Sequence, residues 1–180
     1  MFRHPFVLFL ALLLAGAGAA AQPLRTTHYL GREVRTDLAG RLPYGEDACV
    51  LMREERDGGD RIVETVTQAG RSPSSPALVR VLTLTRRGRS LVFDAVEGDG
   101  DGRGTRTYTD AGMGTWRSAM ERRGGGREEG GGEPAGAGFR TRCAVSGSAF
   151  GMLLTTTFTP VGPDEYARRA ARMRPPPGAE

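Results

Sequence analysis

The stretch Ala77–Glu97, ALVRVLTLTRRGRSLVFDAVE, decides the fold. Side chains of an extended chain point alternately to two faces. Leu78, Leu82 and Leu84 therefore share one face with Arg80, while Val79, Val81, Thr83 and Thr85 take the other. Beyond Arg87-Gly88-Arg89, Leu91, Phe93 and Ala95 oppose Val92, Asp94 and Val96. Period-two alternation rich in β-branched residues, broken by a short glycine-bearing link, reads as a β-hairpin.

The same pattern extends outward in both directions. Ala48–Arg56 and Arg61–Gln68 form an earlier hairpin whose turn, Asp57-Gly58-Gly59-Asp60, supplies the glycines that a tight reversal needs. Further strands are expected at His28–Arg35, Arg103–Thr109, Met113–Arg122, Phe139–Ser146, Phe150–Thr159 and Glu165–Arg172. Arg71–Pro76 and Pro160–Asp164 carry turn chemistry. Arg123–Gly138, RGGGREEGGGEPAGAG, has almost nothing to bury and reads as a long mobile glycine-rich loop. The tail from Met173 to Glu180, with three consecutive prolines, is expected to be disordered.

No apolar stripe is sustained at helical spacing, so the class is all-β. An antiparallel meander of about 8–10 short strands hides its edges by curling into a barrel or half-barrel. One domain, residues 22–172, is expected to hold it.

Ahead of that domain, Arg3 and His4 lead into an apolar run from Phe6 to Leu14, and small residues end in Ala19-Ala20-Ala21. This is the three-part pattern of a secretory signal peptide, with cleavage before Gln22. The run falls short of the roughly 20 residues that cross a bilayer, so no transmembrane segment is expected after cleavage. The expected location is periplasmic or secreted. Export places Cys49 and Cys143 in an oxidising compartment, where pairing is the default. A disulfide between them would close a long loop, worth on the order of 4–5 kcal/mol at best. It would also draw an early and a late strand together, as barrel closure does.

Composition narrows the function classes. All 25 of the Lys+Arg total are arginine, and the formal net charge of +4 is spread among interleaved carboxylates. No run of five like charges makes a basic stripe, so nucleic acid is not an expected partner. Arginine still suits phosphate or carboxylate groups. After cleavage His28 is the sole histidine, and there is no lysine and no nucleophile motif; Ser146 lacks the flanking glycines of a nucleophile elbow. An enzyme is therefore not expected, and neither a cofactor nor a metal is called for. Asp99, Asp101, Gly104 and Asp110 sit at EF-hand spacing, but Arg103 occupies a ligand position and the flanks read as strands. A glycine-rich turn accounts better for that segment.

Gly114-Thr115-Trp116 spells the G-x-W of the first lipocalin strand, although it comes late in the chain, so no lipocalin residue roles are carried across. The broader pattern of export signal, strand-turn repeats, a Trp-bearing strand and a closing turn at Gly162–Tyr166 resembles small exported bacterial proteins with a lipocalin-like meander barrel. That resemblance implies a barrel with an interior and a small hydrophobic or lipid-like ligand.

The expected lining is Phe93, Tyr108, Trp116, Phe139 and Phe158, with Arg80 or Arg106 for a negative headgroup. The leading reading is a periplasmic binding or carrier module for a small apolar or anionic amphipathic ligand. Two alternatives stand beside it: an envelope structural or interaction protein with a side-chain-filled barrel, and a half-barrel resembling the periplasmic lipoprotein carriers. Ligand identity and oligomeric state stay open at this level.

Overall fold

Ten antiparallel strands follow one another up and down: β1 (Arg25–Thr36), β2 (Pro43–Arg56), β3 (Arg61–Gln68), β4 (Leu78–Arg87), β5 (Ser90–Glu97), β6 (Gly100–Tyr108), β7 (Trp116–Arg122), β8 (Arg127–Ala135), β9 (Gly138–Ser146) and β10 (Gly151–Val161). β10 returns to pair with β1, so the sheet closes into a barrel and leaves no edge. The half-barrel gives way to a closed one. The structure is a computed structural model that describes residues 25–69, 76–88, 90–97, 100–108, 114–122, 125–147 and 150–173, without the side chains of 94–97, 100–101 and 108. Residues 1–21, where a signal peptide is expected, Asp99, Asp110 and the tail from 174 lie outside the described residues.

β3 and β5 keep the bounds that alternation gave them, and the Ala77–Glu97 hairpin pairs Leu84 with Phe93 and Leu82 with Ala95. Leu82, Leu84, Leu91 and Phe93 are buried inside, packed with Ile62 and Met120. Gly100–Gly104, the segment with partial calcium-loop spacing, is the start of strand β6.

Two segments correct the sequence reading. Arg127–Ala135, expected to be a mobile loop, is strand β8 and pairs along its length with β7 and β9. Ladder hydrogen bonds come from the backbone, so a strand flanked on both sides tolerates side chains that bury nothing. Its glycines also make room, because a Cβ at Gly132 would collide with the Trp116 indole directly opposite.

Glu165–Arg172, expected to be a strand, lies within helix α1 (Pro163–Met173). Pro163 is preset for a helix start, Asp164 and Glu165 sit at its positive end and Arg172 at its negative end. Tyr166, Ala170 and Met173, at i, i+4 and i+7, form its half-buried stripe. The helix packs on the outer wall against β1, β2 and β3. There the Tyr166 ring lies 4.6 Å from that of His28, and Val50 of the outward row is fully buried.

The expected disulfide is absent: Cys49 and Cys143 are both free. Closure does bring β2 and β9 to one side of the barrel, but β1 and β10 stand between them. Three strand spacings amount to roughly 14 Å along the wall, against a Cα limit of about 7 Å for a disulfide.

On β6–β9 the outer wall is polar. Arg103, Arg117, Glu121, Glu129, Glu133, Arg140 and Arg142 all stand exposed on β6–β9. A barrel that spans a bilayer carries an apolar band there instead. No helix among the described residues is long and apolar enough to cross a membrane.

Candidate functional site

The inward rows of the strands enclose a cavity of about 400 Å³. Aromatic packing closes it at the end where β8 turns into β9, and it is open at the end bordered by Leu78, Gly126, Ser146 and Phe150. The volume lies within the range of small-molecule pockets, roughly 300–1,000 Å³.

Aromatic rings build the sealed end. Phe139 and Phe158 stack with centroids 4.8 Å apart, Tyr29 meets Phe139 edge-on at 5.2 Å, and Trp116 approaches Phe139 at 5.5 Å. Such offset and edge contacts add to simple area burial. Gly31 belongs to this packing, since a Cβ there would overlap the Cys49 sulfur and press on the Phe158 ring.

Arg106 lies over the Trp116 ring at 5.0 Å and reaches across the lumen to Glu64. Its two terminal nitrogens donate to the two carboxylate oxygens of Glu64, each at 2.9 Å. Both side chains are only 8% exposed. Burial alone would raise the Glu64 pKa, but the Arg106 charge and hydrogen bonds, helped by Arg53, hold it below the usual carboxylate range.

Nearer the open end lies a second belt of charge. Arg80 donates to Glu128 at 2.6 Å from the far wall, and Arg122 pairs with the other Glu128 oxygen. Burial again pushes against ionisation of Glu128, and the two arginines outweigh it, lowering its pKa. Glu33 differs. It accepts a 3.0 Å hydrogen bond from Gln68, yet burial dominates and raises its pKa. Arg35 pairs with Asp47 at the rim. The Cys143 sulfur sits 3.8 Å from Glu128, and burial first, then nearby carboxylates, push both thiols up to about 12. They are held as thiols and are poor nucleophiles.

Phe93, Trp116, Phe139, Phe158, Arg80 and Arg106, the residues expected from sequence, all line this one cavity. Tyr108 pairs with Trp116 in the backbone register, but its side chain lies outside the described residues. Sequence reasoning missed Glu33, Arg35, Glu64, Arg122 and Glu128. A charge at an inward position of an apolar row, as in Ile62-Glu64-Val66, is the signal that marks such a residue.

Four arginines (Arg35, Arg80, Arg106, Arg122) and three glutamates (Glu33, Glu64, Glu128) on the inward rows border the cavity. The arrangement offers apolar contact at depth and arginine hydrogen-bond donors above it. Among the described residues no group of three or more His, Cys, Asp or Glu is placed to hold a metal ion. Compared with known protein families, curated proteins and solved structures, the chain matches none.

Proposed function

We propose that this chain is an exported binding or carrier module, periplasmic or secreted, that holds a small anionic amphiphile in its barrel and performs no chemistry on it. The observation that carries this reading is a pocket-sized lumen bordered by more arginines than carboxylates above an aromatic floor. An apolar tail fits against Phe93, Phe158 and Trp116, and an anionic group fits the Arg80–Arg122 belt near the mouth.

Trp116 is the single tryptophan and reports directly on occupancy. Titration with fatty acids, lysophospholipids and haem should shift or quench its emission, and a binder should raise the melting temperature in proportion to the logarithm of its concentration. Arg80→Ala should weaken an anionic binder more than its neutral analogue. An unresponsive tryptophan together with an unchanged melting temperature across the panel would defeat the reading.

A second reading draws on the ion pairs themselves. Arg106–Glu64 and Arg80–Glu128 tie distant strands across the lumen, as the interior of a purely structural barrel would. Function would then fall to the outer wall, where Arg117, Arg140 and Arg142 border a shallow groove over the β8 glycines. Salt-dependent capture of an envelope partner, lost in Arg117→Glu, would favour it.

A further inference from the structure

Among the described residues six large apolar side chains stand exposed, and all six are at the open end: Leu38, Leu42, Tyr44, Leu78, Val79 and Phe150. Leu38 and Leu42 belong to the β1–β2 connection, Tyr44 stands at the start of β2, Leu78 and Val79 begin β4, and Phe150 immediately precedes β10. These are neighbouring turns of the rim, because β10, β1, β2, β3 and β4 are consecutive in the sheet. Leu38 leans on Gly151, beside Phe150. Scattered apolar residues on a surface need no explanation, but a set gathered on one side of one opening does.

The Asp37–Leu42 loop presents its apolar pair rigidly. Asp37 takes the backbone N–H groups of Arg41 and Leu42 on one carboxylate oxygen, at 2.6 and 3.1 Å, and its own N–H donates to the Leu42 carbonyl at 3.0 Å. The loop's only carboxylate is thus spent on its backbone. Arg41, between Gly40 and Leu42, is exposed and joins no ion pair among the described residues. The outward face of the loop is therefore apolar and cationic.

We propose that the open end docks on an anionic lipid bilayer, with Leu38, Leu42, Tyr44 and Phe150 entering the interface and Arg41 at the headgroups. The convex, loop-borne arrangement suits shallow insertion, Tyr44 has the amphipathic ring that bilayer interfaces favour, and Arg41 complements anionic lipid. Leu78 and Phe150 border the cavity as well as the surface, so a rim seated this way leaves the lumen facing the lipid. The proposal goes beyond lumen binding and does not depend on it.

Co-sedimentation of the purified chain with phosphatidylglycerol–phosphatidylcholine vesicles, and with pure phosphatidylcholine vesicles, tests it. Partitioning should be stronger on the mixed vesicles, should fall roughly tenfold or more in the Leu42→Ser/Phe150→Ser double variant, and should lose its preference for anionic lipid in Arg41→Glu. Both positions are exposed, and unchanged melting temperatures would verify that the variants fold. Arg117→Glu, on the outer wall, should bind as the parent does. Parent-like binding by the double variant, or equal losses in Arg117→Glu and Arg41→Glu, would overturn the proposal. So would a concentration-dependent dimer abolished by the rim substitutions without vesicle binding, which would make the occupant a second copy. Titrating a soluble short-chain amphiphile against Trp116 of the Leu42→Ser single variant, whose changed side chain does not border the cavity, reports on the lumen independently without vesicles.

Discussion

The Glu64–Arg106 pair shows most clearly why single residues of this interior resist reading as plain core. Both side chains are buried, and two ions withdrawn from water need each other. Glu64→Gln leaves Arg106 a buried charge short of its main partner and should cost about 3 kcal/mol in urea unfolding, whereas Glu64→Leu with Arg106→Met should come back close to the parent. Recovery in the double variant would mean that the charges are not required for stability, which leaves ligand contact as their use. Alternation groups Arg80 with Leu78 and Leu82, and Phe93 with Leu91, on apolar rows that turn inward. It had no means of finding Glu128, whose own row is Gly130 and Gly132. The cysteines failed for another reason: sequence says that closure brings β2 and β9 near, not how many strands lie between them. Denatured, unreduced protein should therefore titrate two thiols with Ellman's reagent, and native protein should react slowly because both thiols are buried and held as thiols.

At the level of elements, the strands that sequence found carry β-branched or bulky side chains, and the one it missed, β8, carries almost none. Its place is set by its neighbours, β7 and β9, each of which offers a full row of backbone partners. Gly132→Val separates strand from loop. In a loop it would be harmless, but in β8 the new side chain meets Trp116, so the substitution should cost roughly 1–3 kcal/mol and alter the tryptophan emission. Helix α1 was misread although its signals were present, namely Pro163, the acidic first turn and the Tyr166–Ala170–Met173 spacing. Its eleven residues include only three half-buried non-charged side chains, too few to mark a sustained helical stripe. Glu165 adds local support, with hydrogen bonds from Arg168 and then Arg169 drawing its pKa down to about 2. Because the helix covers the outer row that includes Val50, Tyr166→Ala should lower stability by about 1–2 kcal/mol without altering lumen binding, as thermal denaturation and the Trp116 titration would jointly show.

For the molecule as a whole, the lumen carboxylates couple barrel stability to pH in opposite directions. Glu64 and Glu128 have folded-state pKa values below their unfolded values, so they contribute stability above the ordinary glutamate pKa of about 4.3 and lose it as pH falls through the folded values. Protonating them also releases the cross-lumen ties from β3 to β6 and from β4 to β8, so acid should loosen opposite walls together rather than fray one strand. Glu33 works the other way. Its pKa is raised, so its ionisation costs stability as pH climbs from the unfolded to the folded value, and the cost persists above that. Melting temperature measured across pH should hold a plateau near neutrality and drop below about pH 4. Glu33→Gln, which keeps a hydrogen-bonding partner for Gln68, should raise the melting temperature near pH 7 and make little difference at about pH 3, where the parent residue is protonated in both states. An equal effect at both pH values would place the benefit in packing rather than charge.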